Sequence, residues 1–167
     1  AELRTAVRKN QFELHYQPRI DLSDGQLVGL EALLRWNHPE RGLLYPGEFL
    51  AACEDMGLMK TIGYQVIQHA CSALIWLGNQ GMRHVDVAVN ISFSQIQDNR
   101  FLEIVSDIVT RSGADASRLE FELTESTILK SPGAIKERMD ELRKLGISFS
   151  LDDFGTGFSQ LSHLTEL

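Results

Sequence analysis

Polar and apolar residues alternate over residues 11 to 17, QFELHYQ, which predicts a strand that Pro18 ends. Leu3, Ala6 and Val7 fall on one side of a short leading helix. Asp24-Gly25 is a hairpin turn signal, and residues 27 to 36, LVGLEALLRW, read as the strand that pairs back on the first. Pro46 suits the first turn of a helix reaching about Met56. Over residues 61 to 77, Val66, Ile67, Ala70, Leu74, Ile75 and Leu77 follow the 3.6-residue period of a helix, which Gly78 and Gly81 close.

The same rhythm then recurs. Strands are predicted at residues 85 to 91, 118 to 124 and 147 to 151, with helices at about 101 to 111 and 132 to 145 between them. Ser131-Pro132 supplies the cap and first residue of the second of these helices. Strands alternating with helices imply a parallel sheet with helices outside it.

Within each strand the two faces differ. Val85, Val87, Val89 and Ile91 oppose Asp86, Ala88 and Asn90; Leu119, Phe121 and Leu123 oppose Glu120, Glu122 and Thr124; Ile147, Phe149 and Leu151 oppose Ser148, Ser150 and Asp152. The apolar faces suit helices. The polar faces put Asn90, Glu122 and Asp152 at C-terminal strand ends, with Asp153 next, where ligands bind in open parallel sheets and in barrels. Glu31 and Arg35 share a face of the second strand. Two carboxylates about 4 Å apart repel by about 4 kcal/mol at an effective dielectric of 20, so such a cluster takes up protons, basic partners or metal. Oxygen donors of this kind suit hard cations such as Mg²⁺, Mn²⁺ or Ca²⁺. A pair of such ions supports in-line displacement at phosphorus.

Composition narrows the classes. The 167 residues are 43% hydrophobic and 23% charged, as in globular domains. A net charge of -7 argues against binding duplex nucleic acid, which needs a basic face. Cys53 and Cys71 have no metal-ligand spacing and fit a reducing compartment. No apolar run has the length of a membrane span, so no membrane contact is expected from this segment. The five histidines are scattered without zinc-ligand spacing. Asp153-Phe154-Gly155 resembles the metal-binding triplet of kinases, but the Gly-rich loop and strand lysine of a kinase are missing.

Five ordered segments carry a more specific likeness: Tyr16 to Pro18 (YQP), Glu31-Ala32-Leu33 within EALLRW, Asn90 to Ser92 (NIS), Glu122 to Ser126 (ELTES) and Asp152 to Ser159 (DDFGTGFS). In these the chain resembles the EAL domain family of cyclic di-GMP phosphodiesterases along essentially its whole length. The resemblance implies a modified TIM (β/α)8 barrel with one antiparallel strand. It implies metal ligands at Glu31, Asn90, Glu122 and Asp152, with Asp153 serving a second metal, and catalytic roles for Glu31, Asp152 and Asp153. It further implies contacts of Gln17 and Arg35 with the dinucleotide and a loop-stabilising role for Glu125. The implied cofactors are two Mg²⁺ or Mn²⁺ ions per site, with Ca²⁺ inhibitory. The implied reaction is hydrolysis of one phosphodiester of cyclic di-GMP, by a metal-activated water, to linear pGpG.

Active members of the family also carry a lysine on the strand after the Asp pair, then a later glutamate and glutamine. Lys130, Lys136 and Lys144 do not match that lysine. Residues 1–167 therefore read as an EAL domain lacking its C-terminal part, about the first five strands of a barrel, from a longer bacterial signalling protein. Covalently linked sensory or GGDEF domains, a homodimer formed near residues 152 to 164 and a cytoplasmic location are implied by the same resemblance. The alternative is a catalytically inactive EAL domain that serves as a cyclic di-GMP receptor or a dimerisation scaffold.

Overall fold

The computed structural model describes residues 2–152, without the side chains of Glu125 and Asp152. In chain order the elements are α1 (Glu2–Arg8), β1 (Phe12–Ile20), β2 (Leu27–His38), β3 (Gly42–Leu44), α2 (Leu50–Asp55), α3 (Met59–Asn79), β4 (Asp86–Asn90), α4 (Phe93–Ile96), α5 (Phe101–Ser112), β5 (Leu119–Thr124), α6 (Glu125–Lys130), α7 (Pro132–Lys144) and β6 (Ser148–Asp152). One sheet runs in the order β1-β2-β4-β5-β6, with β3 added to one end of β2. β1 and β3 are antiparallel to β2, while β2, β4, β5 and β6 are mutually parallel. Each parallel crossover carries helices, as the distance between parallel strand ends requires. The arrangement is part of a TIM-like barrel with an antiparallel first strand.

The sheet buries its apolar parity against the helices. Val87, Val89, Leu119, Phe121 and Leu123 are fully buried and pack with Ile67, Leu74 and Leu77 of α3, Val105 and Ile108 of α5, and Ile135, Met139 and Leu142 of α7. A second cluster lies around Trp36, which sits on the helix side as its parity predicts. Its ring lies 5.8 Å from Phe12 and 5.9 Å from Phe49, and its indole N–H donates to Gln11.

Several local expectations change. β1 does not end at Pro18 but runs on to Ile20. Among the described strands β1 lies at a sheet edge, where a missing N–H is tolerated. The helix expected from Pro46 to Met56 is a 3₁₀ turn, Pro46–Glu48, followed by the six-residue α2. Two short helices follow strand ends directly. Ser92 and Gln95 form a capping box that starts α4, and the Thr124 hydroxyl accepts from the Thr127 N–H to start α6. Leu151, expected on the buried face, is 37% exposed, and Phe149 is half-buried.

α4 is seated on α3 by a close approach. Gln95 is buried at 1% exposure; its Oε1 accepts from the Ser92 N–H at 3.0 Å and hydroxyl at 2.8 Å. Its amide nitrogen lies over Gly63, where a Cβ would come within 1.6 Å of it. A larger residue at position 63 would require the Gln95 side chain to move.

Candidate active site

Period-two alternation carries Gln17 and Arg19 of β1, Gly29, Glu31 and Arg35 of β2, Asp86, Ala88 and Asn90 of β4, Glu120 and Glu122 of β5, and Ser148 and Ser150 of β6 to the face opposite the helices. Pairing then aligns them. Gln17 stands opposite Glu31, Glu31 beside Ala88, Asn90 beside Glu122, and Glu122 beside Ser150; Thr124 is level with Asp152.

Of the residues singled out from sequence, Glu31 and Asn90 meet directly: the Asn90 amide donates to Glu31 Oε1 at 3.2 Å. Glu122 is the neighbour of Asn90 in the ladder, and its side chain is only 12% exposed. One of its oxygens accepts from Arg19 at 3.4 Å. Gln17 is exposed opposite Glu31. Arg35 lies four residues beyond Glu31 on β2, stacked 4.7 Å from the Tyr45 ring and donating to the Leu34 carbonyl at 2.8 Å. Asp152 ends β6, level with Thr124. The side chains of Asp152 and Glu125, and all of Asp153, lie outside the described residues.

Beside Asn90 and Glu122 opens a cleft of about 580 Å³, a volume typical of small-ligand sites. Ser92, Phe93, Thr124, Ser126 and Lys130 are among its walls. The Lys130 ammonium lies 5.0 Å from the Phe93 ring, which puts a positive charge on a wall that mixes hydroxyls and amides with apolar side chains and the Glu54 and Glu122 carboxylates.

Deeper on the same face is a group that the sequence reading missed. Arg19 makes a two-pronged ion pair with Glu120, 3.0 Å for each prong. Glu120 also accepts from the Ser150 hydroxyl at 2.6 Å. The Arg19 hydrogen bonds hold the Glu120 carboxyl below the usual glutamate range, against the opposing effect of burial, and Glu120 in turn raises Arg19. Burial pushes the nearby Asp86 carboxyl up, with Arg118 and Arg19 working against the rise. The available signal was parity: Arg19 follows Gln17 by two residues, but a strand ended at Pro18 leaves Arg19 in a loop.

The donor chemistry of Glu31, Asn90 and Glu122, all oxygen ligands, fits a hard divalent cation. Among the described residues no three His, Cys, Asp or Glu side chains are gathered closely enough to hold a metal by themselves. The pair in contact here joins one carboxylate to an amide; the remaining candidate ligands are Glu122 on β5, Asp152 on β6 and Asp153 next in sequence.

Comparison with known proteins places this geometry. The family model for the EAL domain matches residues 1–167. The cyclic di-GMP phosphodiesterase NbdA of Pseudomonas aeruginosa is 39% identical over 166 residues, 99% of this chain and 21% of that protein. The bifunctional diguanylate cyclase/cyclic di-GMP phosphodiesterase MucR of the same organism is 38% identical over 167 residues, 99% of this chain and 24% of that protein. The chain thus spans between a fifth and a quarter of the length of these relatives. A solved structure of the MucR phosphodiesterase in complex with c-di-GMP superposes with a TM-score of 0.92 at 38% identity, covering 99% of this chain and 67% of that one. With the family match running from end to end and the strand-end residues in register, the chain belongs to the EAL domain family.

Proposed function

We propose that this chain is the metal-binding part of a phosphodiesterase that hydrolyses cyclic di-GMP to linear pGpG with Mg²⁺ or Mn²⁺. The observation that carries the reading is the Glu31–Asn90 contact at 3.2 Å, on adjacent parallel strands beside the cleft, with Glu122 next in register. Glu31, Asn90, Glu122 and Asp152 hold the first cation, and Asp153 serves the second. Bound there, the cations supply Lewis-acid charge that favours attack by water on phosphorus.

The chain's own groups position the substrate. Gln17, exposed opposite Glu31, and Arg35, braced on Tyr45, contact the dinucleotide. The rigid strands that carry Glu31, Asn90 and Glu122 keep these donors in place before substrate arrives, so little reorganisation is needed in the transition state. Glu125 steadies the loop after the Asp pair. The whole protein works in the bacterial cytoplasm, as a homodimer, beside sensory or GGDEF domains, and Ca²⁺ inhibits it.

Incubating the full-length protein with cyclic di-GMP and Mg²⁺ or Mn²⁺ tests the reading. Metal-dependent appearance of pGpG supports it. Tight binding of cyclic di-GMP without turnover replaces it with a receptor.

A further inference from the structure

Arg35 stands between two different neighbours. On β1 its ladder partner is Glu13. On the opposite edge of β2, β3 pairs Trp36 with Leu44 and Asn37 with Leu43, so the next step of that register sets Tyr45 against Arg35. An opposite charge directly across a ladder is a favourable partner. Arg35 takes the aromatic residue instead: its guanidinium carbon lies 4.7 Å from the centre of the Tyr45 ring. The Glu13 carboxylate lies 3.0 Å from His15 Nε2, and among the described residues Arg35 makes no ion pair.

Tyr45 is a fixed platform. Its N–H donates to the Glu48 carboxylate at 2.8 Å, and its carbonyl accepts from the Glu48 N–H at 2.9 Å. Yet the residue is 57% exposed, so burial in the core does not account for an aromatic ring at this position. A guanidinium stacked on its flat face keeps its N–H groups in plane for an acceptor, and keeps its full charge. Arg35 also lies on the part of β2 that outruns β4. The β2–β4 pairing covers Gly29 to Ala32, while β2 continues to His38. Arg35 is about 13 Å along the strand from Glu31, far enough to serve a different group of a ligand held at Glu31.

We infer that Tyr45 is a positioning residue for the dinucleotide: by stacking on Arg35 it aims the guanidinium, without neutralising it, at a phosphate of the ligand. The inference rests on the proposed contact between Arg35 and the dinucleotide. A carboxylate in the place of Tyr45 would hold the guanidinium equally well but would compete with the phosphate for it.

The test is a double-mutant cycle. The dissociation constant of cyclic di-GMP is measured by calorimetry on the full-length protein, with Ca²⁺ in place of Mn²⁺ so that the ligand is not consumed. The proteins are the unmodified one, Tyr45→Ala, Tyr45→Leu, Tyr45→Phe, Arg35→Ala and the double variant Tyr45→Ala/Arg35→Ala, each with its melting temperature. Binding is expected to weaken by about three- to thirtyfold in Tyr45→Ala and in Tyr45→Leu, the range that loss of a cation–π contact spans. Tyr45→Phe keeps the ring and should bind nearly as the unmodified protein does. Adding Tyr45→Ala to Arg35→Ala should weaken binding little further. An equal fold-loss in both backgrounds overturns the inference and makes Tyr45 a direct contact of the ligand. Unchanged affinity in Tyr45→Ala, or affinity in Tyr45→Leu equal to that in Tyr45→Phe, overturns it too. If Arg35→Ala binds as tightly as the unmodified protein, the Arg35 contact itself fails. If the unmodified protein does not bind cyclic di-GMP, the proposed function fails. The inference falls with either, and both results are read before any Tyr45 variant.

Discussion

The Asn90 side chain donates to Glu31 across neighbouring parallel strands at 3.2 Å, so the amide and the carboxylate already face one another. Replacing Asn90 by Ala removes both the bond and an oxygen donor. Mn²⁺ affinity is expected to fall at least tenfold, since loss of even an indirect partner of a metal ligand typically costs about 10–100-fold. Calorimetric titration checks this, with circular dichroism to show that the fold is kept. Asn90 is exposed at the end of β4, so little stability should be lost.

Phe121 and Phe149 form a cross-strand aromatic pair, 5.8 Å between centroids at 82°. Their burial differs: Phe121 is completely buried and Phe149 half-buried, with the Arg143 guanidinium 5.6 Å from its ring. Phe121→Ala should destabilise by about 3–5 kcal/mol and Phe149→Ala by less. Urea unfolding curves compare them. Equal losses would contradict the burial asymmetry.

Much of this architecture was legible because the alternation of faces survives in the sequence. Asp86, Ala88 and Asn90, and Glu120, Glu122 and Thr124, are read correctly as the polar faces of β4 and β5 from parity alone. The α4 and α6 helices were not, because helices of four and six residues are too short to show a 3.6-residue period; their caps, Ser92 with Gln95 and Thr124, were the only local signals. Arg19 was hidden by a propensity rule. Proline ends most strands, but tertiary position at the sheet edge overrides this at Pro18, and the strand continues through Arg19. The partnership of Arg19 with Glu120, 101 residues away, is a product of the strand order, which puts β1 and β5 in one sheet, and has no local trace.

Arg118 is buried at 8% exposure at the entry to β5. Its Nη2 donates to the Met82 carbonyl at 2.9 Å and to that of Val85, and its Nε donates to Val85 at 3.1 Å. The side chain thus ties the turn after α3 to the start of β5. Arg118→Met fills similar space but leaves these carbonyls without their donor. A loss of about 3 kcal/mol is expected, with Mn²⁺ affinity unchanged. Denaturant midpoints and metal titration on the same variant check both halves.

Cys53 and Cys71 are fully buried, and burial pushes the Cys53 thiol up to about 11 and raises Cys71 as well. Neither should react with a disulfide reagent at pH 8 in the folded protein, and both should react once it is unfolded in urea. The linkage has a definite sign. In the unfolded chain the Cys53 thiol ionises near the ordinary thiol value of 9.0, while in the folded protein it stays protonated to about 11. Stability should therefore fall as the pH rises across that interval. A pH series of melting temperatures checks it.

The central claim is that Glu31 belongs to the metal site of a cyclic di-GMP phosphodiesterase. The direct measurement is pGpG formed per minute by the full-length protein and by Glu31→Gln, each with and without Mn²⁺, with melting temperatures to show that both are folded. Mn²⁺-dependent turnover in the unmodified protein and none in a folded Glu31→Gln is the predicted result. Turnover that persists in Glu31→Gln, or that proceeds equally well without divalent metal, would contradict it.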